Sequence, residues 1–398
     1  MKITWSVPVP GEALDSGRGD LVRAARLIAA VRDAGHEVEV VHAGSRPRTA
    51  AAVSVYRGMV QHALPRSVAH ALRDMGRVVH FRAHARRVAL AAQRQGADLI
   101  VESQVHLSDS GACAARACGL PLVLDDCSPV GEEAALGSGI ATLARAMFAR
   151  QTQAASLLTV SSTVLRERLV RDGIAAEKIS VIPNGVDLAA HRTTTSATAR
   201  QRFNLDGGPV LGFAGSFQPW HRLDLLLDAM RLLETTRVVA GDEAPLLLLA
   251  GDGPALRPAL EIAREFGMGD QVVHLGPLPP DEIPVVLAAC DIGVLAGSND
   301  YGQPMKLLEY AAAGLPAVAP DLLPVRAVVE HEQTGLLFPP GDAGALAMSL
   351  NRLLRDPALR HQLGAAGRRR MAEGAEWTTR AHDLVTTAAR VLGGGQPC

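Results

Sequence analysis

The chain alternates two kinds of segment, and it does so in two successive sets. Short runs rich in Val, Ile and Leu are each followed by a longer Ala/Leu/Arg stretch with helical spacing. Uninterrupted apolar strands are buried on both faces, and parallel neighbours need a helical crossover between them, so the pattern dictates βαβ units around parallel sheets. In the first half it predicts strands at Ile3–Val9, Glu37–His42, Leu99–Glu102, Pro121–Asp125, Leu157–Ser161 and Ile179–Ile182. In the second it predicts Val210–Ala214, Leu246–Ala250, Val272–Leu275, Ile292–Leu295, Pro316–Ala319 and Gly335–Phe338. Between the sets lies Asp187 to Gly208, a polar stretch with Thr193-Thr194-Thr195-Ser196 and Gly207-Gly208 that reads as a linker. The expected architecture is α/β: two doubly wound domains, residues 1–188 and 189–376, facing across a cleft. Ligands of such sheets sit beyond the carboxyl ends of the strands, so the cleft is the default site.

A length of 398 residues suits two or three domains, and 48% hydrophobic against 20% charged residues excludes a disordered chain. Forty Lys+Arg against forty-one Asp+Glu leaves a net charge of -1, which gives no overall attraction to nucleic acid. Any basic site must be local. Lysine occurs only at Lys2, Lys178 and Lys306, so 37 of the 40 cations are arginines. The five cysteines, Cys113, Cys118, Cys127, Cys290 and Cys398, lack CxxC or Cys/His spacing. They read as free thiols of a reducing compartment, with no metal site. The apolar run at Met1–Gly11 is too short for a signal peptide, and no window approaches the roughly 18 apolar residues of a spanning helix. A cytoplasmic protein is expected, with peripheral membrane contact as an option through Arg57–Arg94. There eight arginines face a single acid, Asp74, and Leu64, Val68, Leu72, Met75 and Val79 recur at helical spacing. The same pattern also fits a packed helix with a solvated arginine face.

Several loops carry chemistry. Ser16-Gly17-Arg18-Gly19-Asp20 follows the first strand and opens a helix, so it is either a tight turn or a place where a phosphate meets backbone N–H groups. It is not GxGxxG, which argues against a dinucleotide fingerprint. Phe213-Ala214-Gly215-Ser216-Phe217 ends a strand on glycine, and His221 and Arg222 stand at the start of the next helix. Asp300 to Pro316 is the most informative stretch: a Gly302-Gln303-Pro304 loop runs into a helix with Lys306 in its first turn and Glu309 three residues on, on one face. A cation at a helix N-terminus is unfavourable alone, which points to an anion there, and the carboxylate of Glu309 suits a pair of vicinal hydroxyls.

The succession of the Gly17/Gly19 loop, "VIPNGVD" at 181–187, "FAGSFQPWHRLDLLLDA" at 213–229, "LLLLAGDGP" at 246–254, "PMKLLEYAAAGLPAVA" at 304–319 and "EHEQTGLLFPPGD" at 330–342 resembles a retaining GT-B glycosyltransferase of family 4. The resemblance implies two Rossmann-like domains, a nucleoside diphosphate sugar held mainly by the second, and an acceptor held by the first. It further implies no cofactor or metal, and a last helix, 377–398, that returns to the first domain. Carried onto this chain, it makes Glu309 the ribose-binding carboxylate. Gly302, Gln303, Pro304 and Met305 become the loop at the donor phosphates and sugar, Gly276 and Leu278 the base side, and Gly17 and Gly19 the loop over the diphosphate. The family's diphosphate cations fall at Ser216 and His221, where this chain has neither Arg nor Lys, so Arg222 or Lys306 is expected to supply the charge. The family's first glutamate falls at Tyr301.

On the first domain, Glu102, Asp125, Asp126 and Glu132 follow strand ends and are candidates for acceptor contacts, with His106 as the candidate for orienting the acceptor nucleophile. The expected function is retaining transfer from a UDP or GDP sugar to a small metabolite, natural-product intermediate or saccharide through a hydroxyl or thiol. A nucleotide-sugar-binding protein without catalysis and a sugar nucleotide 2-epimerase stand as alternatives.

Overall fold

The computed structural model describes residues 1–9, 14, 19–43, 66–125, 141–205, 207–240 and 244–393, with backbone only at 66–73, 141 and 235–240. They form two compact units: Met1–Leu14, Ala24–Pro183 and Arg380–Cys398 in the first, Asp15–Arg23 and Asn184–Thr379 in the second.

The first unit is built on a parallel sheet of β1 (Lys2–Val7), β2 (Glu37–His42), β3 (Leu99–Ser103), β4 (Leu122–Asp125), β5 (Leu157–Val160) and β6 (Ile179–Val181), in the order β2-β1-β3-β4-β5-β6. Trp5 at its centre pairs in register with Val40 and Val101 and is fully buried. The second unit's sheet comprises β7 (Val210–Ala214), β8 (Leu246–Ala250), β9 (Val272–His274), β10 (Ile292–Val294), β11 (Ala317–Pro320) and β12 (Gly335–Phe338), in the order β12-β11-β10-β7-β8-β9. β7 lies between β8 and β10, so the winding reverses there and opens a crevice at its carboxyl end.

All twelve strands expected from the apolar runs are present, and every described pairing is parallel. β1 stops at Val7 rather than Val9 because Pro8 and Pro10 have no N–H to give to a ladder. The linker reading of 187–208 is corrected. Helix Ser196–Arg202 forms inside that stretch, with the Thr195 hydroxyl accepting from the Thr198 N–H at 3.3 Å, so the threonine-rich run is a helix cap rather than a tether. The contact boundary falls at Pro183/Asn184 rather than at 188, and Asp15–Arg23 go with the second unit.

Candidate active site

β7 and β8 both end on glycines with left-handed-side backbone, Gly215 at φ +131° and Gly251 at φ +130°. A Cβ on Gly251 would lie 2.0 Å from the Gly215 carbonyl oxygen, so the two strand ends approach as closely as backbone allows. Beyond them opens a pocket of about 250 Å³. Gly215, Ser216, Gly251 and Asp252 form its floor, Pro277, Leu278, Pro280 and Ile283 one wall, and Met305, Lys306 and Glu309 another, with Gly19 and Val22 at the rim.

The helix Met305–Ala313 aims its functional side chains by its own periodicity. Leu307, Leu308, Tyr310 and Ala311 bury the opposite face, which leaves Lys306 and Glu309 toward the pocket. Pro304 precedes the helix and no side chain caps it; the Leu307 N–H donates to the Pro304 carbonyl at 3.2 Å, which leaves those of Met305 and Lys306 available to an anion.

Lys306 is half-buried, with Nζ 5.1 Å from the centre of the Phe213 ring and 3.2 Å from His221 Nε2. Burial pulls its pKa down to about 8, against the opposing pull of Glu309. His221, 7% exposed, is held edge-on to Phe213. Burial, then the charge of Lys306, lower its pKa to about 3, so the ring is neutral. Its Nδ1 accepts from the Gln218 N–H at 3.2 Å, an N–H shared with the Ser216 carbonyl at 3.1 Å, and its Nε2 stands beside Lys306. Lys306 has no ion pair among the described residues, so its charge is open to an anionic ligand.

Behind the pocket a second network fixes the loop before the helix. Arg23 Nη1 donates to Asn184 Oδ1 at 2.8 Å, the Asn184 N–H donates to Gln303 Oε1 at 2.7 Å, and Asn184 Nδ2 donates to the Gln303 carbonyl at 3.0 Å. Arg23 and Asn184 are 1% and 6% exposed. The Gly302 N–H is bound by Asn299 Oδ1 at 2.7 Å.

The residues expected from the sequence divide accordingly. Gly19, Ser216, Leu278, Met305, Lys306 and Glu309 line the pocket. His221 stands behind Lys306, while Gly302, Gln303 and Pro304 shape the loop without lining the cavity. Gly276 contributes through its carbonyl, which accepts from the Gly251 N–H at 2.8 Å. Arg222 is a correction: its guanidinium is engaged by both oxygens of Asp224 at 3.0 Å and does not line the pocket, so of the two cations considered Lys306 alone reaches it. Gly17, Asp126 and Glu132 lie outside the described residues.

In the first unit, Glu102 and Asp125, expected at acceptor contacts, are interior groups, 0% and 1% exposed. The strand alternation carries their side chains into the fold, where Glu102 accepts from Ser6 Oγ at 2.9 Å and Ser110 Oγ at 2.5 Å, and Asp125 from Thr159 Oγ1 at 2.6 Å. Burial raises the Glu102 pKa from 4.5 to about 7 despite those donors. The folded state thus binds its proton more tightly than the unfolded chain does. Stability contributed by the protonated carboxyl is present below about pH 4.5 and falls as pH rises toward about 7, by up to about 1 kcal/mol per pH unit. Glu102→Gln should flatten that slope in thermal melts of the chain. His106 is half-buried in the loop after β3.

Comparison with known proteins decides the family. Residues 196–370 match the model of the glycosyl transferases group 1, and residues 21–190 that of glycosyltransferase family 4. A D-inositol 3-phosphate glycosyltransferase of Jonesia denitrificans is 30% identical over 319 residues, 75% of this chain and 73% of that protein. The chain is a group 1 glycosyltransferase. A GDP-mannose-dependent phosphatidylinositol monomannoside mannosyltransferase of Mycobacterium tuberculosis is 28% identical over 309 residues, covering 74% and 76% of the two chains. The fold of this glycosyltransferase is GT-B: the Anabaena HepE structure with UDP and glucose superposes with a TM-score of 0.77 at 18% identity, covering 98% of this chain and 100% of the other. Sucrose-phosphate synthase of Thermosynechococcus elongatus gives 0.74 at 18% identity, over 99% and 100%. No helix among the glycosyltransferase's described residues is long and apolar enough to cross a membrane.

Sequence reasoning missed Phe213, Asp252, Arg23 and Asn184. The asparagine in "VIPNGVD" read as turn chemistry, and nothing in a helical Arg23 announces a partner 161 residues away.

Proposed function

We propose that the enzyme binds a UDP or GDP sugar in the β7/β8 pocket and transfers the sugar, with retention, to a hydroxyl or thiol of a small metabolite, natural-product intermediate or saccharide. The observation that carries this reading is Lys306, half-buried in the pocket wall on the first turn of a helix whose N-terminus no side chain caps, an arrangement completed by an anion such as a diphosphate. In the transfer, the bond from the anomeric carbon to the diphosphate oxygen breaks and one from that carbon to the acceptor atom forms. The diphosphate leaves with the electron pair, and the acceptor's proton passes to it. Lys306 and the first N–H groups of the helix meet the charge that develops on the leaving group, so no metal is called for.

Ser216 and Gly19 sit where they can reach the phosphates, and Leu278 with Pro277 and Ile283 supplies an apolar wall for the base. Glu309 takes the ribose hydroxyls. The free thiols of Cys113, Cys118 and Cys290 suit a reducing cytoplasm. The relatives, which are transferases, lend no support to the epimerase or non-catalytic alternatives.

Glu309→Gln should weaken nucleotide binding by about 1.5–3 kcal/mol, the worth of a hydrogen bond to a charged group. Calorimetry with UDP and GDP, each against its 2′,3′-dideoxy analogue, checks the assignment, since only the natural ribose should distinguish wild type from variant. A thermal-shift panel of the same diphosphates and their sugars identifies the base. Stabilisation by none of them would overturn the donor site.

A further inference from the structure

The first unit carries a charge cluster that the donor pocket does not use. Asp109 ends the loop after β3, just before helix Ser110–Cys118, and is 0% exposed. Guanidiniums from two separate helices converge on one of its oxygens. Arg82, from helix Arg66–Gln95, places Nη2 3.3 Å from Oδ2, and Arg150, from helix Ala141–Ala154, places Nη2 3.4 Å from the same atom. One carboxylate neutralises one of the two, so the cluster keeps a positive charge.

That charge faces outward, because the Arg82 side chain is 50% exposed and that of Arg150 45%. Among the described residues little nearby cancels it. Asp74, the one acid of helix Arg66–Gln95, is buried, helix Ala141–Ala154 has none, and Arg86 and Arg145 are exposed on the same two helices. Cys113 beside Asp109 stays a neutral thiol, its pKa raised by burial and then by that carboxylate. The spacing of the arginines is set by packing rather than by the charges themselves: Phe81 and Val78 of one helix meet Leu143, Ala144 and Met147 of the other around Leu107. Two guanidiniums pinned by a buried carboxylate are ordered in advance, so little side-chain entropy is lost when they meet a tetrahedral anion. The loop that carries Asp109 also holds His106 and leaves the carboxyl end of β3, next to the winding reversal at β1, the side on which sheets of this kind bind ligands.

We propose that Arg82 and Arg150, held by Asp109, form an anion site for a phosphate group on the acceptor. This rests on the glycosyltransferase reading above and narrows its acceptor to a phosphate-bearing one. The phosphate belongs either to a soluble ester or to a lipid headgroup. Val79 and Met75, 71% and 57% exposed and three and seven residues before Arg82, would meet the bilayer in the second case.

The test uses the full chain in two stages. UDP and GDP are titrated first, which reports on the donor site alone. sn-Glycerol 3-phosphate is then titrated into protein saturated with whichever nucleotide binds, or into free protein if neither does, so that donor-site phosphate binding is not counted. In parallel the chain is sedimented with vesicles of phosphatidylinositol in phosphatidylcholine and of phosphatidylcholine alone.

Binding of the ester or of the anionic vesicles should fall about tenfold or more in Arg82→Gln and in Arg150→Gln, and be retained in Arg150→Lys. Arg257→Gln, on an exposed helix of the other unit, should change nothing. Ester binding without vesicle binding assigns a soluble acceptor, and arginine-dependent vesicle binding assigns a headgroup. Absence of both in a protein that melts cooperatively, or equal binding by wild type and both glutamine variants, overturns the site whatever the nucleotide titration gives.

Discussion

Lys306→Ala should weaken nucleoside diphosphate binding by about 2–4 kcal/mol, roughly thirtyfold to a thousandfold, and leave the free nucleoside nearly unaffected. The size follows from where the ammonium sits. It is half-buried against the Phe213 ring, stands 3.2 Å from Nε2 of a neutral His221, and forms no ion pair among the described residues. Removing it leaves the diphosphate facing the helix N-terminus. The same geometry sets a pH dependence. With its pKa drawn down to about 8, the free protein loses this charge as pH rises through that value, whereas a bound diphosphate favours the charged form. Affinity should therefore be level between about pH 7 and 8 and decline above it, and Lys306→Ala should abolish the decline. Calorimetric titration of UDP or GDP across that range measures both effects. Equal weakening of nucleoside and nucleoside diphosphate would show that the lysine merely supports the fold.

Gly251→Ala should destabilise the second unit by about 3 kcal/mol or more, and donor binding should be lost with it. The added Cβ would stand 2.0 Å from the Gly215 carbonyl oxygen, and the backbone at φ +130° is one that residues with a side chain rarely adopt. Neither neighbour is a flexible side chain that could swing away, so β7 and β8 would have to part at the floor of the pocket. A drop of roughly 6–12 °C in the melting of that unit is expected. Gly267→Ala tests the argument from the other side: its backbone is also left-handed, at φ +70°, but nothing lies within 4 Å of its Cβ, so it should cost clearly less and leave nucleotide binding intact.

Much of this site was legible in the sequence because the relevant information is local. The twelve strands follow from runs of β-branched and aliphatic residues, and the placement of Lys306 and Glu309 on one face follows from three-residue spacing in a helix that begins after Pro304. Arg222 does not reach the pocket because Asp224, two residues on in the first turn of the helix, takes its guanidinium. The burial of Glu102 and Asp125 could not be read from their place at strand ends, because the hydroxyls that hold them, Ser6, Ser110 and Thr159, come from other elements.

The amino-acid sequence by itself determined the two parallel α/β sheets, the family resemblance, and the loop and helix that carry the cation and carboxylate of the donor pocket. Periodicity and turn chemistry act over a few residues, so they can be read along the chain. Only the tertiary structure decided that Lys306 meets Nε2 of His221, that Arg23 and Asn184 lock Gln303, and that Asp109 gathers Arg82 and Arg150. Those contacts join residues 27 to 161 positions apart, and the charge state of each group depends on a desolvation that exists only once the chain has closed around it.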